Sequence, residues 1–182
     1  CQKAHTCIMA GSIPKAMPED VYAQIIEALH SVGSAAVLDA SGKAFAAGLE
    51  AMPDVIKPNR QECAEYLGKS INSEHDVFAA LEALGKKAKL VILSDGANGS
   101  WFFDAEGSGE IKFMAAPEVD VADTTGAGDA LFSSFIHFYA KGLKPLDCLK
   151  RAEVFAAYKI GFDGASVGFT DEVTVEKLVS QF

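Results

Sequence analysis

The chain has 182 residues, 49% hydrophobic and 23% charged, which is enough to bury a sizeable core and too apolar for a disordered tail. With 16 Lys+Arg against 25 Asp+Glu, the net charge is −9. Such a surface repels phosphate backbones and anionic lipid, so no nucleic acid and no membrane is expected as a partner. There is no spanning apolar run and no secretory leader pattern, so the sequence reads as one cytoplasmic domain over residues 1–182.

Short apolar runs alternate with helical periodicities, the pattern of a three-layer α/β/α fold with a mainly parallel sheet. Thr6 to Ala10 reads as a strand, broken by Gly11-Ser12-Ile13-Pro14. A helix is expected to open at Pro18, carry the stripe Val21, Ile25, Leu29, and stop at Gly33. Ala35 to Asp39 is a second strand ending on an acid, followed by a Ser41-capped helix with Phe45 and Leu49. Val55-Ile56-Lys57 forms a third strand ended by Pro58, and helices from Asn59 to Leu67 and from Ser73 to Leu84 come next. Leu90 to Leu93 is a strand and Ser94 to Gly99 a turn; Trp101-Phe102-Phe103 then pairs with Ile111-Lys112-Phe113 as a hairpin. An apolar helix spans about Ala127 to Lys141, another runs from Pro145 toward Gly161, and a short one closes the chain. The 12 Phe and the single Trp sit at core spacings, so packing is expected of them rather than stacking on a ligand. Cys1, Cys7, Cys63 and Cys148 are too scattered for a disulfide framework, and Cys1, His5 and Cys7 lack zinc-ligand spacing.

The strongest chemical signal is Asp123-Thr124-Thr125-Gly126-Ala127-Gly128-Asp129, placed just before the helix rich in Leu131, Phe135 and Phe138. Glycines let backbone approach a ligand, and a helix start aims unpaired N–H groups and about half a positive charge at it. That suits a phosphate or a developing oxyanion, with Asp129 as a carboxylate beside it. The plain alternative is a glycine turn with an acid well placed on the helix dipole. Asn59-Arg60-Gln61-Glu62 is the second signal. It reads either as a capping box or as a polar pair at a strand's carboxyl end, where Glu62 holds a water-shelled Mg²⁺. Lys57, ending the strand before it, reads as a solvated rim lysine. Ser94 to Gly99 is either a phosphate cradle or a hairpin turn.

Taken in order, Gly11-Ser12-Ile13-Pro14, Asp39-Ala40-Ser41-Gly42, Lys57 to Glu62, Ser94 to Gly99 and Asp123 to Asp129 resemble the PfkB (ribokinase-like) carbohydrate kinases. The first four blocks are most similar to the 1-phosphofructokinase and tagatose-6-phosphate kinase branch. The resemblance implies an ATP-dependent kinase that phosphorylates a hydroxyl of a hexose phosphate, with Mg²⁺ as cofactor. It implies Asp129 as general base, also touching the substrate, and Gly126, Ala127 and Gly128 as the anion hole. By the same likeness Asn59 and Glu62 organise Mg²⁺ and phosphates; Lys57, Asn59, Ser94, Gly96 and Gly99 lie near the nucleotide, and Ser12 near the sugar. Asp123 and Thr125 fall where some members bind a monovalent cation such as K⁺. Family members begin with a large N-terminal portion bearing early strands and a β-rich lid, which this sequence lacks. Self-association into homo-oligomers is therefore expected. Two departures keep alternatives open: Lys15-Ala16-Met17 stands where Pro-Gly is usual, and Asp123-Thr124-Thr125 is more typical of kinases for unphosphorylated sugars. A fructokinase or ribokinase type of activity, or a non-catalytic nucleotide-binding fragment, are the other readings.

Overall fold

The computed structural model describes residues 5–182, so Cys1 lies outside the described residues. Five-residue strands β1 (Thr6–Ala10) and β2 (Ala35–Asp39) pair in parallel, from Thr6 against Ala35 to Ala10 against Asp39. Strand β3 is only Val55–Ile56, pairing in parallel with β2 on one side and with β4 (Leu90–Ser94) on the other. The sheet continues with β5 (Gly99–Asp104) and β6 (Ile111–Ala115), and its spatial order follows the sequence, β1 through β6. At the turn between them Gly109 N–H donates to Asp104 O; at the far end Ala116 N–H donates to Asn98 O, the pairing of an antiparallel hairpin. The result is a mixed, mainly parallel α/β sheet.

Among the described residues there are seven helices, four between the strands and three after β6: α1 (Val21–Ser31), α2 (Gly42–Glu50), α3 (Arg60–Leu67), α4 (Glu74–Leu84), α5 (Ala127–Ala140), α6 (Pro145–Ile160) and α7 (Glu172–Val179). Contacts gather into two compact units. The first is residues 1–95 with 101–112; the second is 96–100 with 113–182. The first unit buries a core of Ile26, Leu38, Phe45, Leu49, Ile56, Leu81 and Leu93, among others, against helices α1, α2 and α4. In the second, α5 packs on α6 and α6 on α7, with Phe132, Phe135, Phe138 and Leu149 buried.

Helix α1 departs from expectation at its start. It begins at Val21 with Asp20 as N-cap, because Pro18 O accepts from Val21 N–H in a separate turn and Glu19 is drawn to Lys43 Nζ at 2.9 Å. Most aromatics pack as expected, Trp101 edge-on to Phe78 at 5.5 Å, but Phe113, Phe162, Phe169 and Phe182 are exposed. Cys63 and Cys148 are buried free thiols and Cys7 is half-buried; burial pushes the first two up to about 12 and about 11. Among the described residues no helix is long and apolar enough to cross a membrane.

Candidate active site

In the first unit, the carboxyl ends of parallel strands collect the polar residues singled out from sequence, as open α/β sheets do. Leu38 faces Ile56 in the β2–β3 register, so the next residues along, Asp39 and Lys57, come side by side. Lys57 Nζ lies 3.2 Å from Asp39 Oδ1, and Lys57 is only 6% exposed. The solvated-rim reading of Lys57 is thereby corrected. The opposite charge on the neighbouring strand draws the ammonium inward.

Asn59 caps α3 through a complete reciprocal box. Its Oδ1 accepts from Glu62 N–H at 2.8 Å, and Glu62 Oε2 accepts from Asn59 N–H at 2.8 Å. The box ties up one carboxylate oxygen of Glu62. Among the described residues no group of three or more His, Cys, Asp or Glu could hold a metal. The remaining donor set is one Glu62 carboxylate oxygen, a donor that a hydrated hard cation can take through water. It does not make a closed protein cage. An isolated parallel bridge joins Asn59 to Ser94, and Ser94 N–H donates to Pro58 O at 3.0 Å, which sets the α3 start beside the end of β4. Arg60 adds a strap unforeseen from sequence. Its guanidinium grips both carboxylate oxygens of Asp95, through Nε at 2.8 Å and through a terminal nitrogen, and also donates to Ile71 O at 3.2 Å. Ser12 is exposed just past β1, where Gly11 N–H donates to Asp39 O.

In the second unit, Gly96–Asn98 form a 3₁₀ turn that leads into β5. Gly99 is required there: its φ is +119°, and a Cβ would lie 2.1 Å from Met114 O. The following residue, Ser100, and Glu153 of α6 are both buried. Burial pushes the Glu153 carboxyl up to about 7, against a smaller downward pull from the Ser100 hydroxyl. The sequence carried a usable signal for Glu153: an acid on the same α6 face as Leu149, Ala152 and Ala156, all of them buried.

Gly126 stands at the N-cap of α5 in the left-handed region, φ +79°, as the glycine pattern leads one to expect. Ala127 N–H is used internally by Thr124 O at 3.1 Å, and Gly126 O accepts from Ala130 N–H at 2.9 Å. Among the described residues the N–H groups of Gly126, Gly128 and Asp129 have no such internal acceptor, so within the Gly126-Ala127-Gly128 turn only Ala127 has its N–H taken by the loop. Asp129 is exposed in the first turn. Asp123 is spent on the loop itself. Oδ1 accepts from Thr125 N–H at 2.8 Å and from Thr125 Oγ1 at 2.7 Å, and Oδ2 accepts from Gly164 N–H at 3.0 Å. The Thr125 hydroxyl and amide, then the Gly164 amide, hold this carboxyl below the usual carboxylate range, with a smaller contribution from the Lys159 charge.

Residues 1–171 match the pfkB family carbohydrate kinases. The chain belongs to that family. It is 32% identical over 172 residues to 1-phosphofructokinase of Haemophilus influenzae, an alignment that takes in 94% of this chain and 54% of that protein. The chain thus spans about half the length of the relatives it matches. Its fold is that of Escherichia coli phosphofructokinase-2 in complex with potassium, at TM-score 0.88 and 21% identity, covering 98% of this chain and 57% of that one. Arabidopsis thaliana ribokinase, complexed with ribose and ATP, shares the fold at TM-score 0.84 and 24% identity, over 98% of this chain and 56% of the other. The ribokinase-like α/β fold expected from sequence is the one observed.

Proposed function

We propose that this chain is the nucleotide-binding and catalytic part of a kinase that moves the γ-phosphoryl group of ATP to a hydroxyl of a hexose phosphate. Fructose 1-phosphate is the first candidate, since the Haemophilus influenzae relative is a 1-phosphofructokinase. The observation that carries the reading is the start of α5, where Gly128 and Asp129 present backbone N–H groups beside an exposed carboxylate. Phosphoryl transfer asks for alignment and neutralised charge more than for covalent work by the protein. In the proposed reaction the sugar oxygen bonds to the γ-phosphorus as the bond to the β–γ bridging oxygen breaks, and ADP leaves. The hydroxyl proton passes to the Asp129 carboxylate. The α5 N-terminus, with the Gly126-Ala127-Gly128 turn, stabilises the transferred oxygens. A bound Mg²⁺ would supply positive charge against the phosphates. Glu62 and Asn59 would hold it through water, with Lys57, Ser94, Gly96 and Gly99 beside the nucleotide and Ser12 beside the sugar. A kinase for an unphosphorylated sugar is the second reading, favoured by Asp123-Thr124-Thr125. Self-association is part of the proposal, and so is a cytoplasmic place.

Asp129→Asn in the full-length polypeptide tests the assignment. The amide keeps the helix start but accepts no proton, so kcat should fall by about 10²–10⁴. Nucleotide affinity by calorimetry should hold. A variant that keeps more than about a tenth of the rate removes Asp129 from the general-base role.

A further inference from the structure

Lys159 is the one lysine of the second unit that is fully buried, at 1% exposed, and it lies against the loop that starts α5. Its Nζ donates to Gly164 O at 2.8 Å. Its Cε lies 3.6 Å from where a Cβ on Gly126 would stand. The segment after α6 folds back over it: Phe162 N–H donates to Lys159 O, and a Cβ on Gly168 would come within 3.2 Å of the Lys159 Cα. The partner of that segment is Asp123, whose Oδ2 takes Gly164 N–H. Lys159 and Asp123 thus hold the two ends of one residue, Gly164, the ammonium on its carbonyl and the carboxylate on its amide. They do so without direct ion-pair contact.

A monovalent cation needs several oxygens turned toward it in place of its hydration shell. Here both oxygens of Asp123 accept bonds from the chain, the Thr125 hydroxyl donates to one of them, and Gly164 O accepts from Lys159. These groups do not fit a K⁺ with Lys159 in place. A lysine ammonium is a compact single positive charge with three donors, and it satisfies the same kind of oxygen. We propose that the Lys159 ammonium takes the place of a monovalent cation behind the α5 start, supplying the positive charge and the loop bracing from within the chain. Lys159 is then a positioning residue. It braces the 159–168 segment against Asp123 and adds to the positive potential at the Gly126–Asp129 helix start, with no contact to the reacting atoms required. This rests on the kinase reading only for its rate measurement.

The test uses the full-length polypeptide, with K⁺ compared against tetramethylammonium at equal ionic strength, in both rate and melting temperature. The wild type should be indifferent to K⁺ in both. Lys159→Ala, which removes the charge and opens space, should melt lower and regain part of the loss specifically in K⁺. Lys159→Met, which removes the charge but fills the space, should lose rate and stay indifferent. Activation of the wild type by K⁺ of about fivefold or more, the lower end of ordinary effector coupling, overturns the proposal. A folded Lys159→Ala that ignores K⁺ in both readouts overturns it as well. If Lys159→Ala does not fold, the wild-type cation comparison decides. If the wild type phosphorylates no sugar, the kinase reading fails while the melting comparison still tests Lys159.

Discussion

Glu62 puts one carboxylate to two uses, and substitution separates them. Glu62→Gln keeps an oxygen able to accept from Asn59 N–H, so the capping box survives and the stability change should be about 1 kcal/mol or less. The charge that would hold hydrated Mg²⁺ is lost, so the rate should require more Mg²⁺ to saturate. Thermal melts beside Mg²⁺ titrations of the rate check both; an unchanged Mg²⁺ response with a lowered melting point would leave Glu62 only its structural role. Glu153 makes a prediction in pH. Its folded pKa, about 7, stands above its ordinary value of 4.5, so the folded state holds the proton longer than the unfolded state does. The stability it confers is present below about pH 4.5 and declines as pH rises to about 7, on the order of a few kcal/mol at most. Glu153→Gln should flatten that part of the stability–pH curve and raise the melting temperature above pH 7. Denaturation followed from pH 4 to 8 tests this, and an unaltered slope would contradict it.

At the scale of elements, the strap between β2 and β3 is a nearly buried ion pair, and its behaviour on truncation follows from that burial. Lys57→Met removes the ammonium that faces the Asp39 carboxylate in a poorly hydrated place, which should cost about 3–5 kcal/mol. Combining it with Asp39→Asn should recover much of the loss, because the buried carboxylate charge that faced the lysine is then gone. Chemical denaturation of the two single variants and the pair measures it; additive losses would contradict the account. The same pair shows what sequence could and could not convey. Strands β1 and β2, the box at Asn59 and the left-handed Gly126 were legible because each is a local pattern of period, cap or glycine. The Asp39–Lys57 contact needed the β2–β3 register, and the Arg60–Asp95 grip joins residues 35 positions apart. Neither is local. The early start expected for α1 at Pro18 failed because Pro18 closes a turn of its own before the helix begins, a competition that cap rules do not rank. Nothing local marks Lys159, since a lysine near a helix end ordinarily reads as a dipole-favoured surface residue; its burial comes with the Gly126 loop and the fold-back of residues 161–168.

At the scale of the whole molecule, family membership rests on residues 1–171, while the named 1-phosphofructokinase activity is that of a relative of which this chain spans about half. The net charge of −9 makes the proposed anionic substrates dependent on local donors such as the α5 start, because the surface at large repels them. The claim that unites site and family is that the complete protein transfers a phosphoryl group from ATP to a hexose phosphate. The most direct measurement incubates the full-length polypeptide with ATP and Mg²⁺ and each of fructose 1-phosphate, fructose 6-phosphate, tagatose 6-phosphate, fructose and ribose, following ADP release and the phosphorus spectrum of the product. The account predicts one new phosphoester per ADP with a hexose phosphate, fastest with fructose 1-phosphate. Turnover confined to fructose or ribose would contradict the substrate class, and ADP release with none of the five would contradict the kinase itself.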